Sequence, residues 1–172
     1  MKNTKVKSLV LIAILIAILA VGSQISIPMP FFVPITLQML FVALLGYILS
    51  TKQATIAIFT YIAIGAIGMP VFANFGAGVG TLFSYTGGFI FGFLPLAILS
   101  SLGKGKIKIL FGIIGLLICH LIGILWYSTI SKTGILASAL TVSLPYLLKD
   151  VFLVILAYFL STLINKKIKK QG

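Results

Sequence analysis

Residues 103–130 read GKGKIKILFGIIGLLICHLIGILWYSTI, three closely spaced lysines followed by a long apolar run. A single α-helix crosses the hydrocarbon core of a bilayer when it has about 20 predominantly apolar residues, and this run is long enough. The same arrangement, basic residues beside an apolar run, is repeated along the rest of the chain. The stretch therefore predicts a membrane-spanning helix, and its lysines indicate the side of the membrane on which the helix begins.

Lysines occupy every second connection between the apolar runs. The remaining connections carry only Lys132, while Lys149 lies inside a run. Basic loops are retained on the cytoplasmic face, so this alternation predicts an even number of spans with both termini in the cytoplasm. The lysines on the predicted cytoplasmic side are Lys2, Lys5, Lys7, Lys52, Lys104, Lys106, Lys108, Lys166, Lys167, Lys169 and Lys170.

The chain is predicted to be an all-α integral membrane protein, a single bundle of six transmembrane helices forming one domain over residues 1–172. Six spans of about 20 residues need about 120 residues, which leaves no room for a soluble domain. The N-terminal run also fits a secretory signal that ends at Ala20-Val21-Gly22, and its removal would leave five spans. The predicted spans are 8–26, 34–51, 53–69, 84–102, 107–130 and 143–165.

The composition excludes an ordinary soluble protein. The chain is 60% hydrophobic and 8% charged, with a mean hydropathy of +1.26, whereas soluble domains are about 25% charged. The net charge of +12 lies at the ends of apolar runs, so it indicates topology and attraction to anionic lipid headgroups, and no nucleic-acid partner is expected. The single cysteine, Cys119, excludes an intramolecular disulfide and is expected to be a small buried residue.

Asp150 is the only acidic residue of the chain, and it lies inside the sixth predicted span. A carboxylate at mid-depth in a bilayer costs roughly 2.5–3.5 kcal/mol, so a functional role is expected. Its neighbour Lys149 points about 100° away around a helix, and we expect the two to be a poor mutual ion pair. Lys149 therefore either flanks a cavity or extends to the headgroups. His120 is expected to be an interhelical hydrogen-bonding residue, because no second histidine or cysteine pair completes a metal set.

Further polar residues occur where the second and fourth spans begin. Thr36 and Gln38 open the second span, Thr86 opens the fourth, and Asn74 lies in a glycine-rich connection. Because these positions and Asp150 all lie near the predicted outer ends of their spans, the sequence predicts one cavity that is open to the outside.

The two outer connections at 27–35 and 68–83 are apolar, yet they are interrupted by prolines and glycines. Non-helical backbone is not tolerated in lipid, so these segments must lie over protein or line a cavity. We expect the second segment to cover a mostly apolar ligand. The alternative is an interfacial aromatic belt formed by Phe72, Phe75 and Phe83.

Several chemistries are excluded by what the sequence does not contain. No phosphate-binding loop is present, since the glycines of 76–80 are followed by no basic residue. One carboxylate and one histidine are too few for a paired acid–base enzyme.

Ala13 and Ala17 stand four residues apart in the first span, a spacing of small residues that permits close approach of another helix.

Three further motifs occur in order along the chain: VPITLQ at 33–38, GMPVFA at 68–73, and TGGF at 86–89 with Gly92-Phe93. Together they resemble the BioY family, the biotin-specific substrate-binding subunit (S component) of energy-coupling factor (ECF) transporters. The resemblance covers nearly the whole chain and implies six helices, an outward-facing biotin site and a multi-pass protein of the bacterial cell membrane with no cofactor. It also implies partners, a transmembrane coupling subunit and two cytoplasmic ATPases. Ala13 and Ala17 match the motif that contacts the coupling subunit.

The resemblance also implies which residues contact biotin. Asn74 and Asp150 match the family's loop asparagine and its aspartate early in the sixth span. The lysine that many members carry three residues after the aspartate is Leu153 here, so Lys149 is the candidate partner for the ligand's carboxylate. Ser84-Tyr85 replace the usual Gly-Pro before Thr-Gly-Gly. The full set of expected ligand-binding residues is Thr36, Gln38, Asn74, Tyr85, Thr86, Lys149 and Asp150.

The predicted function is therefore high-affinity capture of biotin and its uptake by an ATP-driven complex. Two alternatives remain open on the sequence alone. One is an S component for another vitamin, since cationic thiamine would suit Asp150 and riboflavin would call for stacking aromatics. The other is a facilitator that works without ATPases.

Overall fold

The computed structural model describes residues 2–29 and 33–170, and this part of the chain is predominantly helical, as predicted. Its helices are α1 (Lys2–Ser23), α2 (Gln38–Ile48), α3 (Thr51–Ala66), α4 (Gly78–Leu82), α5 (Gly87–Ser101), α6 (Ile107–Ser131), α7 (Ile135–Val142) and α8 (Leu144–Lys170). A 3₁₀-helix spans Ala73–Phe75, and the strands β1 (Ser26–Ile27) and β2 (Ile35–Thr36) form a small antiparallel sheet.

Three of the described helices are long and apolar enough to cross a membrane. They are Lys5–Ser23 of α1, Ile107–Ser131 and Leu144–Lys167 of α8. The first predicted span is displaced toward the N-terminus, because the helix ends at Ser23 and not at residue 26. The sixth continues past its predicted end at 165 to Lys170. Predictions for the third, fourth and fifth spans agree with α3, α5 and α6 to within three residues at each end.

The second predicted span, 34–51, differs most from the structure. It is helical only over Gln38–Ile48, and eleven residues rise about 16 Å, roughly half of the hydrocarbon core. The residues before the helix are extended, and Ser26 pairs with Thr36 across the sheet. The physical reason is proline, which has no backbone N–H and ends helices, at Pro28 and Pro34 beside the two strands.

Two short helices were not predicted from the sequence. Gly78–Leu82 lies within the glycine-rich connection, and Ile135–Val142 lies between the fifth and sixth spans. Lys132 separates α6 from α7 with a left-handed backbone, φ +57°. Hydrogen bonds within these short helices satisfy part of the backbone, which helps a connection remain compatible with an apolar environment.

The lysine-rich connections lie together at one end of the bundle, called here the basic end. The Gln53 amide near the start of α3 donates to Ser8 near the start of α1 at 2.6 Å. Lys108 at the start of α6 donates to the carbonyl of Tyr47 near the end of α2 at 3.0 Å. Contacts of this kind require α1, α3 and α6 to begin at the same end. At the other end, α1 and α6 end while α2, α5 and α8 begin.

Helices α5 and α6 pack in backbone contact. A Cβ at Gly92 would lie 2.6 Å from Cys119 Sγ, and one at Gly88 would overlap Trp126. Only glycine permits this approach, so the glycines after Thr86 serve helix packing. Cys119 is fully buried in this contact, as the sequence predicts.

Candidate functional site

A cavity of about 770 Å³, measured to its open mouth, lies at the end of the bundle opposite the basic end. Its walls include the aromatic side chains of Phe72, Phe89 and Phe93. The polar residues that line it are Thr36, Gln38, Asn74, Thr81, Thr86, His120, Tyr146, Lys149 and Asp150.

The floor of the cavity holds an ion pair. Lys149 Nζ lies 2.7 Å from Asp150 Oδ1, and the Asp150 side chain is 4% exposed. The same ammonium donates to the carbonyl of Thr36 at 2.8 Å. The prediction that these neighbours make a poor ion pair was therefore wrong. Their Cβ atoms do diverge around the helix, but the flexible four-carbon stem of lysine carries the ammonium back to the carboxylate.

His120 of α6 completes the charged cluster from the opposite wall. Its Nε2 lies 3.3 Å from Asp150 Oδ2, and its Nδ1 lies 2.8 Å from Ser143 Oγ, at the junction of α7 and α8. The prediction of an interhelical hydrogen-bonding histidine is confirmed. Sequence reasoning did not place His120 on the cavity. The available signal was that the only histidine and the only acid both lie within apolar spans.

A hydrogen-bonded network fixes Gln38 at the start of α2. Its amide donates to Ser23 Oγ and to Tyr61 OH, both at 3.2 Å, and its carbonyl accepts from Thr36 Oγ1 at 3.3 Å. Tyr61 OH donates in turn to the carbonyl of Val71 at 2.8 Å. The amide of Gln38 is therefore oriented by protein groups on α1 and α3 while the residue lines the cavity.

The glycine-rich connection is held over the cavity by Gln24, just after α1. The Gln24 amide donates to the carbonyls of Pro70 and Phe72 at 3.3 and 3.1 Å, and its carbonyl accepts from the Phe75 N–H at 2.8 Å. Asn74 has a left-handed backbone with φ +55°, a conformation that asparagine tolerates better than most residues. Ser26 donates to the Asn74 carboxamide oxygen and so orients it. Sequence reasoning did not single out Gln24.

The aromatic residues of this connection divide between the two predicted roles. Phe72 is 1% exposed and lines the cavity, which is what a covering segment requires. Phe75 and Phe83 are 69% and 61% exposed and face outward, as an interfacial belt requires. In the other outer connection, residues 30–32 lie outside the described residues. Tyr146 of α8 donates to the carbonyl of Val33 at 2.7 Å and ties that connection to the bundle.

Six of the seven predicted ligand-binding residues line the cavity, and Tyr85 is the exception. Within the described chain, the Tyr85 ring packs at 5.5 Å from the ring of Tyr127 and is not part of the cavity wall. Thr86, one residue later, lines the cavity and lies 3.0 Å from Ser84 Oγ. Tyr85 and Thr86 lie on different sides because the chain changes direction just before α5, which begins at Gly87.

The predicted partner-contact face lies on α1. Ala13 and Ala17 are exposed, whereas Leu15 and Leu19 of the same helix are buried against the bundle. The small residues therefore face away from the core of this chain and form an exposed strip on α1.

The arrangement is suited to binding and not to covalent chemistry. It combines apolar aromatic walls, fixed amides and a buried carboxylate with cationic and imidazole neighbours. No group of three or more metal-ligating side chains occurs among the residues that the structure describes.

Comparison with known proteins agrees with this geometry. Residues 1–170 match the BioY family. The chain is 36% identical to "Probable biotin transporter BioY" of Pyrococcus horikoshii, an alignment that covers 86% of this chain and 89% of the relative. It is 42% identical to "Biotin transporter BioY2" of Lactococcus lactis, covering 73% of this chain and 72% of the relative.

The fold is also that of a solved structure, described as the S-component for biotin from an ECF-type ABC transporter. The two superpose with a TM-score of 0.86 at 24% sequence identity, covering 100% of this chain and 95% of the other. At this identity the likeness establishes the fold.

Proposed function

The chain belongs to the BioY family, and we propose that it captures biotin in the cavity and takes it up as the S component of an ATP-driven ECF transporter. The observation that carries the proposal is the cavity itself, whose aromatic walls end at the buried Asp150. Biotin has matching parts, an apolar chain for the walls and a ureido ring whose N–H groups suit a carboxylate acceptor. The relatives' names supply the choice of biotin.

Within this proposal, Asp150 accepts hydrogen bonds from the ureido ring, and Asn74, Thr36, Gln38 and Thr86 complete the polar contacts. Lys149 was expected to meet the ligand's carboxylate. However, its Nζ lies 2.7 Å from Asp150, whereas the carboxylate and the ureido ring stand at opposite ends of biotin. We therefore assign Lys149 as the counter-ion of Asp150. The ligand's carboxylate then lies toward the open mouth.

The proposed orientation places the basic end in the cytoplasm and the cavity at the outer face. Helices α1, α2, α3, α5, α6 and α8 are the six proposed spans, with both termini cytoplasmic. The alternation of lysines and their common position at one end of the bundle support this orientation.

The proposed partners are a transmembrane coupling subunit and two cytoplasmic ATPases. The chain has no phosphate-binding loop of its own, so ATP hydrolysis belongs to these subunits and the chain is not an enzyme. The exposed strip at Ala13 and Ala17 is the proposed contact with the coupling subunit, since small residues allow close helix approach.

Equilibrium dialysis of the purified protein against biotin, thiamine and riboflavin tests the substrate. We expect biotin to bind much more tightly than the other two, and preferential binding of thiamine or riboflavin would overturn the proposal. Liposomes that contain the chain alone or with its partner subunits test the mechanism. Uptake that requires the partners and ATP is expected, whereas full uptake by the chain alone would identify a facilitator.

A further inference from the structure

Positive charge is scarce at the cavity end of the bundle. The chain contains 13 basic residues, all of them lysines, and all but two belong to the lysine-rich segments assigned to the basic end. The exceptions are Lys132, which separates α6 from α7, and Lys149 in α8. Because a helix rises about 1.5 Å per residue, Lys166 lies roughly 24 Å from Asp150 along the axis of α8. Only Lys132 and Lys149 are therefore candidates to pair with an anionic group of a ligand in the cavity.

Neither of these two lysines is placed to pair with a carboxylate at the mouth of the cavity. Lys149 Nζ lies 2.7 Å from Asp150 Oδ1 and donates to the Thr36 carbonyl at 2.8 Å, so its charge is balanced and two of its three N–H groups are engaged. Lys132 is exposed and is not among the described residues that line the cavity. Residues 30–32, which lie outside the described part of the chain, read Pro-Phe-Phe and carry no charge.

Helix termini supply the remaining positive potential. Helices α2, α5 and α8 all begin at the cavity end, and a helix N-terminus carries a partial positive charge. Beside one such terminus an anion binds about 2- to 5-fold more tightly, whereas a charge-assisted hydrogen bond from a lysine adds about 10- to 150-fold. The cavity therefore favours a carboxylate only weakly over a neutral group of the same shape.

We propose that the site recognises the ureido end of its ligand and not the charge of the carboxyl end, so that it binds neutral amides and esters of biotin as well as biotin. The inference rests on the proposed function and deepens it, because it names the substrate class. In the proposed orientation the ureido ring lies on Asp150 and the carboxyl group lies toward the open mouth. An amide there loses no ion pair, and it is less costly than a carboxylate to remove from water.

The test is equilibrium dialysis of the purified protein against biotin and biotinamide at neutral pH. Biotinamide has the size and shape of biotin but carries no charge. We expect the two affinities of wild type to agree within about 5-fold, the effect of a helix terminus. Lys132→Met and Lys149→Met are measured in parallel. Each should keep the wild-type ratio of the two affinities, although Lys149→Met lowers both of them through Asp150.

The outcomes separate this inference from the proposed function. If wild type fails to bind biotin, the proposed function falls and the inference falls with it. If wild type binds biotin but the two affinities differ by more than about 5-fold, the site responds to the charge of the carboxyl end and the inference alone is overturned. A ratio that changes in Lys132→Met or Lys149→Met overturns it too, because that lysine then contacts the carboxylate. Should a variant fail to fold, the wild-type ratio decides by itself.

Discussion

Replacing Asp150 with asparagine separates binding from folding. Asparagine keeps the shape of the side chain but exchanges an acceptor-only carboxylate for a group that both donates and accepts. A hydrogen bond to a charged group contributes about 1.5–3 kcal/mol, so the affinity for biotin should fall roughly 10- to 150-fold. Binding to purified protein by isothermal titration calorimetry measures this change directly.

The stability of the unliganded protein should change much less. The Asp150 side chain is 4% exposed, so ionisation there carries a desolvation cost that offsets much of its attraction to Lys149. In the variant, Lys149 keeps its hydrogen bond to the Thr36 carbonyl at 2.8 Å, and its side chain is 29% exposed to solvent. We expect the free energy of unfolding to change by about 1 kcal/mol. Thermal unfolding of the purified protein in detergent measures this change.

The opposite pattern would refute the reasoning. Unchanged affinity together with a loss of several degrees in melting temperature would make Asp150 a structural counter-charge for Lys149. The binding groups would then have to be sought around Asn74 and Thr86, on the other wall of the cavity.

Three further predictions concern the counter-ion, the partner surface and the orientation. Lys149→Met should lower the affinity for biotin and for biotin methyl ester by the same factor in binding assays, because the lysine acts through Asp150. Ala13→Leu with Ala17→Leu should leave biotin binding intact and abolish co-purification with the coupling subunit, because larger side chains hold the helices apart. In a cysteine-free background, a cysteine at position 132 should be labelled from outside the cell and one at position 106 only from inside.

Each of these has a control and a contrary result. The control Lys52→Met, at an exposed lysine, should change the binding of neither ligand. If Lys149→Met weakened the binding of biotin but not that of its methyl ester, Lys149 would contact the ligand's carboxylate. Ala137→Leu, an exposed alanine on α7, should co-purify normally. Loss of biotin binding in the α1 double variant with assembly preserved would contradict the assigned surface. The reverse labelling pattern would mean that the cavity opens on the cytoplasmic side of the membrane.

The sequence predicts the helical bundle and the common location of most polar residues because both follow from hydropathy. An apolar run has to be helical in lipid, and a polar residue such as Asp150 is expensive unless it faces the interior. Given helices of alternating direction, Thr36, Thr86 and Asp150 fall at one end of the bundle.

What the sequence does not predict depends on side-chain conformation and on short segments. The Lys149–Asp150 pair forms because a flexible stem turns back, and helix periodicity describes only the Cβ direction. Tyr85 turns toward Tyr127 because the chain changes direction before α5. The sheet formed by Ser26–Ile27 with Ile35–Thr36 is too short to leave a period-2 pattern.

The walls of the cavity are unequal in stiffness. Helices α5 and α6 touch through glycine backbones, so closely that even a Cβ at Gly92 would overlap Cys119. The connection across the mouth is attached through Gln24 by a few hydrogen bonds, each with a net contribution of about 0.5–1.5 kcal/mol. Thermal motion at ordinary temperature can break bonds of that strength one by one but cannot separate two packed helices. We therefore expect a ligand to pass residues 70–75 on its way in or out, and a glutamine that does not line the cavity to influence the rate of exchange.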